Sequence, residues 1–388
     1  MVQLCSMIHD ITFPWSVILV SFTLLSPQQH SFCDALSSAS IAVTPTGTSR
    51  PILMHSDEGS KVHFDTACVA NPVVLPPDEY SDEWQCYYYG NNGGWNLGHK
   101  SFLPTGSAGL AISDDGITWT KVAGNEKDGA ILCPSDSGWD CVHVGVNEVF
   151  RVSENEMHMY YFGADDKEAS IGPMNIVGLF MRIGRAKSTD NGRTWKKDEN
   201  FVLDCDESEG FFASWPRIVR FDDGRPWKMT YHSFNGTRWR VFGAESTDQG
   251  DTWTRTGLLL EGGQKEEDFD LKGIGTRSVI PRGDDLLMIY EGVCANDKHQ
   301  LGAAINKGSK SNEWTKLNDG LPILKSEEAP FGDWCYGTIG TPFAVDMPDG
   351  SLRLYYCGKK PGIEEKMAIG VIESKSGDFM PGSWTALP

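Results

Sequence analysis

From about residue 55 onward, hydrophobic positions come in short runs, with no long or helical-period stretch. Each run is rich in aromatic or β-branched residues and is closed by Gly, Asp, Asn or Pro, which predicts strands separated by tight turns. The runs recur as a unit, five times, at a spacing of roughly sixty to seventy-five residues. A unit opens on an acidic residue and a turn. It continues through a short apolar strand, an aromatic strand ending near Gly, an Ile-Gly-x-Ala-like strand and a strand led by Trp. The first unit starts at Phe64-Asp65 and runs through Tyr87-Tyr88-Tyr89-Gly90 to Trp119. The second starts at Trp139-Asp140 and ends on Trp195, the third at Glu209-Gly210 and Trp253. The fourth spans Phe269-Asp270 to Trp314, and the fifth Asp333 to Trp384.

A repeat of this length made only of strands predicts a β-propeller, with one sheet per unit around a central axis. The expected fold is all-β: a five-bladed β-propeller, four antiparallel strands per blade, filling residues 55–388. Residues 1–50 are read as a targeting segment and linker. Three units share a turn between their third and fourth strands, Ser113 to Trp119, Ser188 to Trp195 and Ser246 to Trp253. Asp bonds its own turn backbone there and Gly supplies φ > 0. These Asp boxes are read as structural, with Asp115, Asp190 and Asp248 on the periphery.

Charge narrows the partners. Lys plus Arg is 34 and Asp plus Glu is 53, so the net charge is 34 − 53 = −19, which disfavours nucleic acid and anionic membranes and tolerates neutral sugars or cations. The apolar stretch Ile11 to Leu25 is short for a membrane span and holds Pro14. It reads as the apolar region of a signal peptide, with small residues from Ala35 to Ser40 as the cleavage zone. Its flank lacks Lys and Arg, and the Ser-rich stretch beyond also suits an organellar (plastid-type) transit segment. Secretion is favoured, and the sequon Asn235-Gly236-Thr237 is compatible with it. No membrane span is expected in the mature chain, and a monomer is expected. Of ten cysteines, Cys5 and Cys33 fall in the leader. The other eight show no metal-ligand spacing and are read as buried small residues, with one or two disulfides left open.

Candidate chemistry lies at the axis, where innermost strands converge. An acidic residue precedes each innermost strand: Asp65, Asp140, Glu209 and Asp270, with Asp333 in a comparable place. They are either a funnel of carboxylates or a structural device of each blade. Blades differ at the residue before the strand-terminal Gly or its equivalent: Tyr89, Phe162, His232, Glu291 and Cys357. Asn71, His143, Asn147, Trp215, Arg217, Arg277, Trp334 and Tyr336 stand on or near the innermost strands. Arg, His, Trp and Asn at a concave mouth suit sugar, by stacking and planar hydrogen bonding.

The phenylalanine-aspartate unit starts, the Met288 to Gly292 strand (M-x-Y-E-G) and the I-G-x-A-x-S-x-D-x-G-x-x-W runs resemble the five-bladed propeller superfamily of glycosidases. That superfamily includes arabinanases, β-xylosidases, invertases and levansucrases. The resemblance covers nearly all of the chain after residue 55. It implies hydrolysis of a glycosidic bond in an oligo- or polysaccharide, by carboxylates on successive innermost strands. The matching positions here read Asn71-Pro72, Asn147-Glu148 and Trp215-Pro216, so those carboxylates are either displaced or lost. Displaced chemistry would use Asp65 or Asp140 as base, Glu209 or Glu291 as acid and Asp270 to tune charge. Asn71, His143, Asn147, Trp215, Arg217, His232, Arg277, Trp334 and Tyr336 would bind sugar. No cofactor is required, and Ca²⁺ would suit an acidic axial channel. Lost chemistry would leave a propeller that binds a glycan or a protein. A sialidase-like hydrolase is the third reading, but it needs a third converging Arg beside Arg217 and Arg277.

Overall fold

The structure is a computed structural model that describes residues 48–94, 101–171, 174–309, 311–359 and 366–387. The leader, its cleavage zone and Cys5 and Cys33 lie outside the described residues.

The chain forms five groups of four antiparallel strands; the third and fourth are bridged by one parallel pair, Trp239 with Gly273, and the fifth gains an extra strand, Pro51–Leu53. Blade one is Cys68–Leu75, Trp84–Asn91, Gly106–Ser113 and Thr120–Val122. Blade two is His143–Ser153, Glu156–Ala164, Met181–Ser188 and Lys196–Lys197, with a small hairpin, Ala169–Ile171 and Met174–Ile176, before its third strand. Blade three is Ser214–Val219, Trp227–Phe234, Trp239–Ser246 and Thr254–Glu261. Blade four is Gly273–Arg282, Asp285–Val293, His299–Asn306 and Thr315–Lys316. Blade five is Ile339–Asp346, Leu352–Gly358, Ala368–Ser374 and Trp384–Ala386. Each innermost strand contacts the innermost strands of both neighbouring blades, and blade five contacts blade one, so the ring is a five-bladed propeller.

Both ends of the described chain complete blade five. Trp384–Ala386 pairs with the Ile372 to Ser374 end of the third strand, and Pro51–Leu53 pairs with its Ile369 and Gly370. The Ser49 hydroxyl meets the Tyr356 hydroxyl at 2.7 Å, and the Trp334 indole donates to the Ser49 carbonyl at 3.0 Å. The propeller's contacts therefore begin at Ser49, ahead of the expected start at residue 55.

All five innermost strands slip register at one equivalent point. The shifts fall between Ala70 and Val73, Val146 and Glu148, Ser214 and Arg217, Ile274 and Arg277, and Gly340 and Phe343. In three of them a residue at positive φ precedes Pro: Asn71 (58°), Trp215 (51°) and Thr341 (44°). Proline has no N–H to give a ladder, so it is tolerated where pairing is already broken. A bulge breaks the in-out alternation and re-aims a side chain.

The Asp boxes join neighbouring blades. Asp115 accepts from the Ile117 and Thr118 amides at 2.7 Å each, and Asp190 and Asp248 bond their own turns similarly. The box carbonyls then accept from the preceding blade: Gly116 from Tyr355 (2.9 Å), Asn191 from the Gln85 amide (3.0 Å) and Gly250 from Tyr160 (3.2 Å). The eight described cysteines are free, with Cys68, Cys86, Cys335 and Cys357 buried. No helix among the described residues is long and apolar enough to cross a membrane.

Candidate ligand site

The five residues that precede the strand-terminal Gly or its equivalent, Tyr89, Phe162, His232, Glu291 and Cys357, all line one pocket on the axis. Bulge residues from four blades, Asn71, Trp215, Thr276 and Thr341, line it too. It holds about 700 Å³ of empty space, counting its open mouth. The pocket has two unlike halves. Across blades one to three runs an aromatic row: Tyr89 to Phe162 (centroids 6.3 Å apart), Phe162 to Trp215 (4.3 Å) and Trp215 to His232 (4.9 Å). Blades four and five supply the polar side chains Thr276, Glu291, His299 and Thr341, set among Val293, Cys357 and Met367.

Asp65, Asp140, Glu209 and Asp270 do not line this pocket. Each is held inside its own blade by a second-strand tyrosine and a fourth-strand cation. Tyr161 donates to Asp140 at 3.1 Å and Lys197 at 2.6 Å; Tyr290 and Lys316 reach Asp270 at 3.2 and 2.6 Å. Asp65 meets Tyr88 (2.9 Å) and Lys121, and Glu209 meets Tyr231 (2.8 Å) with Arg255 at 3.4 Å. Burial raises the Glu209 carboxyl pKa, against the Tyr231 bond and Arg255. The funnel of carboxylates is thus corrected to a structural clamp repeated in four blades. In blade five the equivalent place is taken by Cys335, not Asp333. A Cβ on the strand-terminal glycine would meet the Asp65 Cβ (2.5 Å, at Gly90) in blade one and the Cys335 Cβ (2.3 Å, at Gly358) in blade five. The missing carboxylate is matched by Ala386 where the other blades carry Lys or Arg.

Glu291 is the one carboxylate among the described residues that lines the pocket. Its Oε1 accepts from His299 Nδ1 at 2.5 Å. Its Oε2 accepts from the Thr276 hydroxyl and from the Thr341 amide, the latter at 3.3 Å. Burial pushes this carboxyl's pKa up, but the bonds from His299, Thr276 and Thr341 together outweigh it and hold the pKa below the ordinary glutamate value.

Beneath the aromatic row, Arg277 is buried and donates to the Thr230 hydroxyl (2.9 Å) and the Trp215 carbonyl (2.6 Å), with His232 Nδ1 at 3.3 Å. Arg217 donates to the Arg277 carbonyl at 2.7 Å and to the Asn147 carbonyl. Asn147 is buried with both side-chain polar atoms unpartnered. None of these three lines the pocket. Nor do His143, which bonds the Gly178 carbonyl at 2.9 Å, Trp334, which stacks on Tyr356, or Tyr336, which is exposed. Burial pushes His143 down to about 4 and His232 to about 3, the latter helped by Arg277. Of the predicted residues, Asn71, Trp215, His232 and Glu291 meet in one pocket. His299 was missed: it opens a third strand, and only the pairing of Leu301 with Glu291 brings it onto that residue's face. Among the described residues no three His, Cys, Asp or Glu side chains are grouped to hold a metal ion.

No family model matches the chain, and no curated protein matches its sequence. Solved structures do match in shape. A thermostable family-43 glycoside hydrolase has TM-score 0.60 at 17% identity, over 82% of this chain and 94% of that one. A GH130 structure, from a family of mannoside phosphorylases containing glycoside hydrolases that target β-1,2-mannosidic linkages in Candida mannan, has TM-score 0.58 at 16% identity, over 89% and 95%. The Bombyx mori GH32 β-fructofuranosidase BmSUC1 has TM-score 0.56 at 16% identity, over 84% and 62%. These neighbours belong to the five-bladed propeller superfamily of glycosidases, and likeness at this identity is one of fold.

Proposed function

We propose that the axial pocket binds a saccharide, and that it is built for binding rather than for hydrolysis by a carboxylate pair. One observation carries this reading: an aromatic row lies in one pocket with a few polar side chains, Thr276, Glu291, His299 and Thr341, and a single carboxylate among them. A pyranose or furanose ring has the same two characters, with C–H faces that pack on aromatic carbon and hydroxyl edges that need polar partners. Paired-carboxylate hydrolysis needs two carboxyl groups flanking the bond. Asn71 and Trp215 stand in the pocket where the resemblance implied two of them.

Hydrolysis is the second reading, favoured by the glycoside hydrolases among the fold neighbours. It would fall to Glu291. A general acid near neutral pH needs a raised pKa, whereas the bonds to Glu291 depress it. The test is calorimetric titration with neutral mono- and oligosaccharides, alongside a glycoside panel scored for released sugar. Binding without turnover is expected. Turnover that falls about 100-fold or more in Glu291→Gln would overturn the binding reading and establish the enzyme.

A further inference from the structure

Glu291 faces the pocket, yet each of its oxygens already has a donor within the protein. Oε1 takes His299 Nδ1, and Oε2 takes the Thr276 hydroxyl and the Thr341 amide. The carboxylate therefore meets a ligand poorly. Its partner is different. His299 is about 5% exposed, it lines the pocket, and its Nε2 is buried without a partner. A buried ring nitrogen left without a bond is costly, and it marks a place where a ligand or an ordered water completes the site.

The partner at Nδ1 sets the chemistry of Nε2. A carboxylate whose other oxygen takes both the Thr276 hydroxyl and the Thr341 amide is held ionised, so it accepts and does not donate. The Nδ1 proton therefore stays on His299, and in the neutral ring Nε2 carries the lone pair. Glu291 cannot turn away, because the Thr276 and Thr341 bonds fix its other oxygen. Gly275 and Gly340, on the innermost strands of blades four and five, leave room for it: a Cβ on Gly340 would lie 2.4 Å from Oε1.

We propose that His299 Nε2 accepts a hydrogen bond from a ligand hydroxyl in this pocket, with Glu291 as the residue that positions it; the Asn71 Oδ1 and His232 Nε2 atoms of the same lining are likewise buried and unpartnered, but no carboxylate fixes their orientation. The inference rests on the reading of the pocket as a saccharide site and deepens it. The pocket selects ligands that present a hydroxyl donor against the blade-four wall while a C–H face lies on the aromatic row.

The test uses the full chain labelled with ¹⁵N-histidine. Two-dimensional spectra that connect ring nitrogens to ring protons identify each tautomer. His299, assigned by its loss in His299→Gln, is expected as the Nδ1-protonated form in the parent, and Glu291→Gln is expected to shift it towards a mixture. Titration with the methyl glycosides of glucose, galactose, mannose, xylose and arabinose is then followed at Nε2 and by calorimetry. A glycoside that binds should move the Nε2 shift by several ppm. His299→Gln should weaken its affinity about tenfold or more, and replacing the contacted hydroxyl by hydrogen should do the same in the parent. An Nε2-protonated His299 in the parent overturns the proposal by itself. So does a glycoside that binds with no change at Nε2 and equal affinity in His299→Gln, and in that case the saccharide reading survives. If no glycoside binds, the saccharide reading fails and takes the recognition half of the proposal with it. The role of Glu291 is then decided by the tautomer spectra alone.

Discussion

Replacing Asp140 by Asn separates the structural and catalytic readings of the recurring carboxylates. The change keeps the shape and removes the charge. Asp140 is nearly inaccessible (side chain 3% exposed) and Lys197, 2.6 Å away, is 21% exposed. Lys197 keeps its bonds to the Cys133 carbonyl (2.7 Å) and Ser135 hydroxyl (3.0 Å), so its ammonium stays in place without a counter-charge. Removing one partner of a buried pair costs about 3–5 kcal/mol. The partial exposure of Lys197 puts this case at the lower end, about 3 kcal/mol. At roughly 2 °C per kcal/mol for a domain of this size, Tm should fall about 6 °C. Denaturant titration and calorimetry read the loss. Asp140→Asn/Lys197→Met should recover part of it, since an unpaired charge is then no longer buried. Saccharide affinity should be unchanged. An Asp140→Asn protein that melts like the parent but no longer binds would refute the clamp and return Asp140 to the ligand site.

Three further outcomes are expected. Burial pushes the Glu148 carboxyl from its ordinary 4.5 up to about 7, against the pull of Arg217. The folded state then holds this proton more tightly than the unfolded chain. The cost is absent below about pH 4.5, grows through pH 7 and is constant above. At 1.36 kcal/mol per pKa unit it reaches at most about 3 kcal/mol. Glu148→Gln should match the parent near pH 4.5 and exceed its stability at pH 8, as denaturant midpoints will read; equal gaps at both pH values would refute it. Gly340→Ala, which places a Cβ 2.4 Å from Glu291 Oε1, should destabilise by about 1–3 kcal/mol and weaken saccharide binding in the same calorimetric assay. Asp190→Ala should cost on the order of 1 kcal/mol for the lost turn bonds and leave affinity intact.

The ring was legible because a propeller writes its structure as a repeat. Trp119, Trp195, Trp253, Trp314 and Trp384 mark where fourth strands begin, and each does lead into or open one. The row of pocket residues before the second-strand Gly was also visible, since alternation along a strand places one position of each blade towards the axis. The acidic residues misled because recurrence marks structure as readily as function. The clue lay two residues beyond each Trp, where Lys121, Lys197, Arg255 and Lys316 recur beside the acids and Ala386 stands where Cys335 has replaced one. His299 had no such signal. Its approach to Glu291 depends on hairpin register between the second and third strands of blade four, which no local pattern specifies. Arg217 and Arg277 look like ligand contacts in the sequence, yet their guanidinium groups fill the axis below the pocket floor.

Blade five has a consequence for the order of assembly. Its third strand, Ala368–Ser374, takes one neighbour from residues 51–53 and another from residues 384–386, and the Ser49–Tyr356 bond spans 307 residues of sequence. Blades one to four can each pair from residues close together in the chain as it is synthesised. The four strands of the last blade can do so too, but the added segment Pro51–Leu53 must wait for almost the whole polypeptide to emerge before it finds its partner. Contacts of such separation form late, after the largest loop has been closed. The axial pocket draws Glu291 and His299 from blade four, Thr341 and Cys357 from blade five and Asn71 from blade one. It therefore comes into being with the final closure of the circle, so a nascent or truncated chain has no binding site to offer.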